Sequence, residues 1–126
     1  MSRETRTAPD VASGCCPLYH EAVELIGRRW TGAIVATLLG VHPHPMRFGE
    51  ISKGVPELSD RMLSERLREL EERGVVERHV APGPPVRVTY GLTAMGAGLE
   101  PALAALRSWA QHWLDEEAGS AAPRTN

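Results

Sequence analysis

The sequence lacks the long apolar segments of membrane and exported proteins. It contains no run of about 18 apolar residues, the length that a membrane-spanning helix needs. Its first residues, MSRETRTAPD, lack the apolar core of a signal peptide. We therefore expect a cytoplasmic protein that makes no membrane contact.

Residue patterns that carry catalysis or metal binding are also missing. The two cysteines, Cys15 and Cys16, are adjacent, and neither a CxxC nor an HExxH spacing occurs, so the histidines do not predict a metal site. There is no nucleophile–base–acid set and no glycine loop that would cradle a phosphate. We expect a protein that is not an enzyme and that holds no metal or cofactor.

An excess of positive charge is missing as well. The net charge is −2, and the segment 47–92 contains eight basic and eight acidic residues. Strong nucleic-acid binders usually carry a basic excess. Any affinity for DNA must therefore come from how the charges are distributed over the surface.

The chain has the length of a single domain. Small and polar residues predict flexible tails at 1–14 and 118–126, around an ordered domain at 15–117. Apolar residues at helical spacing predict a helix over 17–27 and a second that runs from Thr31, its N-cap candidate, to Gly40. The prolines of VHPHPM then predict a loop, and a short third helix follows.

The most regular helical pattern comes next. Ser59 is its N-cap candidate, and Leu63, Leu67 and Leu70 form its apolar stripe. Gly74 is suited to end it, because glycine readily adopts the left-handed conformation after a helix. This segment is therefore predicted to be an amphipathic helix with one buried and one exposed face.

A β-hairpin and a last helix complete the predicted fold. The runs Val75–Ala81 and Val86–Leu92 are rich in β-branched residues and flank a Pro/Gly turn. Thr93 then caps a last helix that continues to about Glu117. The order of three helices and a hairpin is that of a winged helix-turn-helix, a mostly α fold with a small β-hairpin (α+β).

A winged helix places the N-terminal half of one helix in the major groove of DNA and its hairpin against the backbone. The residues predicted from this arrangement to contact bases or phosphates are Arg47, Lys53, Ser59, Asp60, Arg61, Ser64, Glu65, Arg68, Arg78 and Arg87. Two alternatives stay open. The helix can be an ordinary surface helix laced with ion pairs, and a winged helix can also bind protein or RNA.

Five segments of the sequence resemble the HxlR-type transcriptional regulators, a branch related to the MarR regulators. Each segment is modest alone, but their order and spacing over about residues 16–114 make the match specific. The segments are Cys16-Pro17, Leu25–Leu39, Arg47–Ile51, Ser59–Arg78 and Pro84–Gly96.

The resemblance implies a homodimer, held together by its N- and C-terminal helices, that binds a near-palindromic operator in double-stranded DNA. It adds Met62 and Arg66 to the recognition helix and places Arg87 on the wing. Trp30 matches a family tryptophan that is mostly structural. A small-molecule effector is a further candidate partner, with a pocket at the dimer core lined by Trp30, Leu39, Trp109 and Trp113.

The apolar residues of the last helix support a dimer independently. Leu103, Leu106, Trp109 and Trp113 give this helix more apolar surface than a lone helix on a small domain needs. The same spacing also fits a helix that packs on the core of its own chain, so the sequence leaves both interpretations open.

Some members of the family sense oxidants or electrophiles through a cysteine just before the first helix, the position of Cys16. The positive end of a helix dipole stabilises a thiolate there and raises its reactivity. Cys15 departs from the single-cysteine pattern. Because a ring between adjacent cysteines is strained, we expect a bond across the dimer or to a low-molecular-weight thiol. The alternative is that Cys16 is a buried, inert thiol.

The pattern and the resemblance together predict a sequence-specific DNA-binding transcriptional regulator. Its activity is expected to be modulated by a small molecule or by cysteine chemistry. The alternative, motivated by the neutral charge of segment 47–92, is a winged-helix module for protein interaction without a DNA operator.

Overall fold

The structure is a computed structural model that describes residues 16–115. Cys15 and the tails predicted at 1–14 and 118–126 lie outside the described residues. The chain divides into two compact units, Met1–Gly32 and Ala33–Asn126. Within the described range, no helix is long and apolar enough to cross a membrane.

The first unit contains helix α1, Pro17–Gly27, which confirms the first predicted helix. Proline suits the first turn because its missing N–H would have no helical partner there. Trp30 has a left-handed backbone with φ of 75°, and the Arg29 guanidinium lies 5.1 Å from the centre of its ring. Helix α2, Thr31–Leu39, begins at Thr31 itself, one residue earlier than an N-cap at this position would give.

Helices α3, Phe48–Gly54, and α4, Asp60–Glu72, form the helix-turn-helix of the second unit. The apolar stripe predicted for α4 is confirmed, because Leu63, Leu67 and Leu70 are all buried. Burying one such side chain stabilises the fold by about 1.5–3 kcal/mol relative to leaving it exposed. The core of this unit is completed by Ile34, Val35, Leu38, Ile51, Val55, Leu58, Val75, Val76, Leu92 and Leu103.

The hairpin belongs to a three-stranded antiparallel sheet with the order β1-β3-β2. Its strands are β1, Met46–Arg47, β2, Val76–Ala81, and β3, Arg87–Leu92. The predicted loop is therefore wrong at Met46, which pairs with Tyr90 in β3. A strand of two residues carries no periodicity of its own, and its partner lies far along the chain.

The single last helix predicted from the sequence is wrong, because the structure has two helices there. These are α5, Ala94–Ala97, and α6, Glu100–Leu114. Thr93 does cap α5, since its hydroxyl accepts the Gly96 N–H at 3.1 Å. A continuous helix would lose a hydrogen bond at Pro101, which has no N–H, and α6 instead begins at Glu100 with this proline in its first turn. The predicted extension to Glu117 lies outside the described residues.

The structure predicts that Gly96→Ala destabilises the fold, because a Cβ at this position would overlap the carbonyl oxygen of Val75. We expect the free energy of unfolding to fall by about 1–3 kcal/mol, the usual effect of overpacking. Gly49→Ala is the matched control, since nothing lies within 4 Å of its added Cβ. Urea unfolding of both variants measures the difference, and equal stabilities would contradict the close packing at Gly96.

Candidate nucleic-acid interface

The N-terminus of α4 is held by side chains on both sides of the helix-turn-helix. Met62 N–H donates to the Ser59 hydroxyl at 3.1 Å, which confirms Ser59 as the N-cap. Across the turn, the Ser52 hydroxyl donates to Asp60 Oδ1 at 3.2 Å and links α3 to α4. The first turn of α4 is therefore fixed relative to the helix that precedes it.

One face of α4 is open to solvent. Arg61, Ser64 and Arg68, at positions i, i+3 and i+7, are all exposed, while Met62 is half-buried. The Arg61 side chain is 87% exposed and its Nε lies 3.6 Å from the Glu65 carboxylate. A major groove admits one α-helix, and this face presents guanidinium and hydroxyl donors that can reach base edges.

Arg66 does not lie on that face. Its side chain is only 8% exposed, and its Nη1 lies 3.4 Å from Glu69 Oε2. The reason is helical geometry, since position 66 is three residues after Leu63 and four before Leu70, on the buried side. The expectation that Arg66 contacts DNA is therefore corrected to a buried, paired arginine.

The strand register places Arg78 on the same face of the sheet as the core residues Val76 and Leu92. Arg78 in β2 lies opposite Tyr90 in β3, two residues from the buried pair Val76 and Leu92. Directly opposed residues of antiparallel strands project from the same face. Arg78 and Tyr90 thus line a cleft of about 290 Å³ beside α4, whose other lining residues are Ser64, Leu67, Arg68 and Glu71.

The other face of the sheet carries Arg47 and Arg87. Arg47 lies opposite Thr89, and Arg87 lies two residues from Thr89 on the same strand. Arg47 N–H also donates to Glu50 Oε1 at 2.9 Å at the start of α3. Lys53 is exposed in the last turn of α3. The predicted phosphate contacts are therefore divided between two faces of the sheet and one helix.

Tyr90 is a cleft residue that the sequence did not reveal. Alternation along β3 places its side chain on the same face as Leu92, which is readable from the sequence. That Tyr90 lies opposite Arg78 could not be predicted from the sequence, because the strand register depends on where the hairpin closes. A phenol hydroxyl beside two arginines adds a donor suited to a phosphate oxygen.

The charges of this module are unevenly paired. Acidic groups with a described partner are Glu50, Asp60, Glu65, Glu69 and Glu77. Among residues 16–115, no ion pair is formed by the basic side chains of Arg47, Lys53, Arg68, Arg78 and Arg87, nor by the acidic side chains of Glu57, Glu71 and Glu72. Within the described residues, segment 47–92 therefore exposes five basic side chains without an ion pair, and the cleft lined by Arg68 and Arg78 also contains Glu71.

The predicted sensing residue is at the N-terminus of α1. Cys16 is the N-cap, is half-buried, and accepts the Tyr19 N–H on its Sγ at 3.2 Å. Of the residues predicted to line a ligand pocket, Trp109 and Trp113 are exposed on α6 and Leu39 is half-buried. Trp30 belongs to the first unit. No group of three potential metal ligands is found among residues 16–115.

A model of the HxlR-like helix-turn-helix family matches residues 25–118, about three quarters of the chain. The chain belongs to the HxlR-like helix-turn-helix family. The predicted winged helix-turn-helix fold is thereby confirmed, and the protein is a transcriptional regulator of the HxlR and MarR type.

Two regulators of Bacillus subtilis are similar to this HxlR-like chain in sequence. The HTH-type transcriptional regulator YvaP is 46% identical over 103 residues, which cover 82% of this chain and 93% of YvaP. The HTH-type transcriptional regulator YodB is 40% identical over 100 residues, which cover 79% of this chain and 87% of YodB. Neither relative is named as an enzyme.

Solved structures of related regulators have the same fold. The reduced form of YodB matches with a TM-score of 0.70 and covers 79% of this chain and 94% of the YodB chain. YodB has also been solved after diamide treatment and bound to a quinone. The oxidised redox regulator HypR, 33% identical, matches with a TM-score of 0.66 and covers 76% of this chain and 95% of its own.

We predict that Arg66→Ala destabilises the protein while Arg68→Ala does not. Removing Arg66 leaves a cavity and strands part of the Glu69 charge, so we expect the free energy of unfolding to fall by about 1–3 kcal/mol. Arg68 is exposed and has no ion pair among residues 16–115, so its loss should change stability by less than about 0.5 kcal/mol. Thermal and urea unfolding compare the two, and a destabilised Arg68→Ala would contradict this division of roles.

Proposed function

We propose that this HxlR-like protein is a sequence-specific DNA-binding regulator that acts as a homodimer on a near-palindromic operator. The observation that carries the proposal is the exposed face of α4. There Arg61, Ser64 and Arg68 project from a helix whose N-terminus is capped and tied to α3. Arginine can take guanine bidentately, and serine can bond to base edges or phosphates.

The basic side chains around α4 support binding to the DNA backbone. Arg68 and Arg78 meet at the cleft beside Tyr90, and Lys53 and Arg87 lie on α3 and the wing. Contacts of this kind place a protein on the duplex and supply salt-dependent affinity. Glu65 and Glu69 are paired with Arg61 and Arg66, which reduces their repulsion of a nearby phosphate.

The apolar surfaces of the terminal helices support the homodimer. No residue of α1 is buried, although Leu18 and Tyr19 are large and apolar or aromatic. In α6 only Leu103 is buried, and Leu106, Trp109 and Trp113 share one exposed face. Exposed apolar patches on regulators of this size are typical of subunit interfaces. A pocket for a small-molecule effector, with Leu39, Trp109 and Trp113 among its lining residues, is proposed at the same interface.

Cysteine chemistry at Cys16 is the input that the structure supports best. The thiol lies at the N-terminus of α1, where its sulfur caps the helix by accepting the Tyr19 N–H at 3.2 Å. Cys16 is half-buried, so the residue is not enclosed in the core as an inert thiol would be. The relative YodB has been solved in diamide-treated and quinone-bound forms, which supports the same chemical class of signal for this chain.

We predict that Arg61→Ala weakens operator binding by about 1–3 kcal/mol and relaxes the preference at one base pair of each half-site. The measurement compares DNA upstream of the protein's own gene with random duplexes at one stated salt concentration. Arg107→Ala on α6 removes the same charge away from the nucleic-acid interface, and it is the control once the variant is shown to remain dimeric. An unchanged base preference would place Arg61 on phosphate or solvent. Equal wild-type affinity for both DNAs would favour the protein-interaction alternative.

We also predict that Cys16→Ser abolishes the release of operator DNA by diamide or a quinone. Serine keeps the N-cap but offers no thiolate to these reagents. Cys15→Ser is the matched control and should retain the response. A Cys16→Ser protein that still responds normally would assign the signal to Cys15 or to a ligand that is not a thiol reagent.

A further inference from the structure

A continuous series of hydrogen bonds joins α4 to the start of α6. Val75 N–H donates to the Leu70 carbonyl in the last turn of α4 at 2.9 Å, and the Val75 carbonyl accepts the Thr93 N–H at 3.1 Å. Gly96 N–H donates to the Thr93 hydroxyl at 3.1 Å. Leu99 N–H, at the N-cap of α6, donates to the Gly96 carbonyl at 3.1 Å.

The Thr93 side chain lies at the centre of this series of hydrogen bonds. Besides capping α5, its hydroxyl can donate to the carbonyl oxygens of Gly74 and Val75, the latter at 3.2 Å. These are the first two residues after the C-cap of α4. The packing is close, because a side chain on Gly96 would overlap the Val75 carbonyl oxygen. Such packing leaves little freedom for the segment to pivot on the end of α4.

We infer that Thr93 is a positioning residue for DNA binding. It fixes the orientation of α6 relative to α4, through the segment that connects β3 to α6. The inference rests on the proposed function, in which α6 contributes to the dimer interface. In such a dimer, this orientation sets the distance between the two α4 helices. Half-sites recur about 10–10.5 base pairs apart on one side of the duplex, so that distance selects the operator spacing.

The test separates positioning from simple stabilisation by measuring spacing preference. The full-length wild type first selects an operator from a random pool of double-stranded DNA. Affinity is then measured for duplexes that carry the same half-sites with the spacer lengthened or shortened by one or two base pairs. A loss of stability alone lowers the affinity for all spacer lengths equally. A change in the orientation of α6 relative to α4 instead changes which spacer length is bound most tightly.

Three substitutions at Thr93 and one control define the comparison. Thr93→Val removes the hydroxyl with little change of shape, and Thr93→Ser keeps it. Thr93→Asn still caps α5 and serves if the valine variant unfolds. The control is Thr37→Val in α2, which also loses a hydroxyl bonded to a backbone carbonyl, here that of Ala33 at 2.8 Å. Unfolding curves establish that each variant is folded.

We expect Thr93→Val to bind the native spacing about fivefold more weakly, the effect of about one hydrogen bond. Its discrimination against altered spacers should also shrink several-fold, while Thr93→Ser and Thr37→Val keep the wild-type ranking. A folded Thr93→Val or Thr93→Asn protein with the wild-type ranking would overturn the inference. If the wild type itself selects no operator, the proposed function fails, and the inference that rests on it fails with it.

Discussion

The arrangement of the DNA-binding module depends on how α4 ends. Gly74 adopts a left-handed φ of 82°, which glycine tolerates because it has no Cβ, and this turns the chain back toward the helix. Val75 then places its side chain in the core and commits both of its backbone polar groups, one to Leu70 and one to Thr93. A single buried residue thus holds α4, the hairpin and the C-terminal segment in one geometry.

Local pairing of charges explains how a chain with a net charge of −2 belongs to a family of DNA-binding regulators. Carboxylates such as Glu65 and Glu69 are held by arginines of the same helix, and Glu77 lies 3.5 Å from His79. Arg68 and Arg78 lack such partners among residues 16–115 and converge on one cleft. Because Glu71 also lines that cleft, its positive charge is smaller than the two arginines alone would give.

Features with a short-range signal were predictable. Ser59 caps α4 because a hydroxyl placed before an apolar periodic run can accept a free N–H, and the leucine stripe faces inward because its spacing is helical. The burial of Arg66 was partly visible, since it lies between stripe positions. Its burial also requires neighbouring parts of the fold to cover a long polar side chain, and the helical spacing does not show this. Met46 and Tyr90 were not predictable as neighbours, because strands distant in sequence pair only in the folded chain.

The sequence by itself determined the order of helices and strands, the cap of α4 and the family, because each rests on residue types at fixed spacings along the chain. The tertiary structure decided which arginines remain available to DNA, which tyrosine stands beside them, and where the last helix divides. Those outcomes depend on strand register, on the burial of one helix face and on the close approach at Gly96. Strand register and the approach of Gly96 to Val75 join residues far apart in the chain, and no local pattern encodes them. Burial of one face of α4 follows the local leucine spacing, but which side chains it covers depends on the packing around the helix.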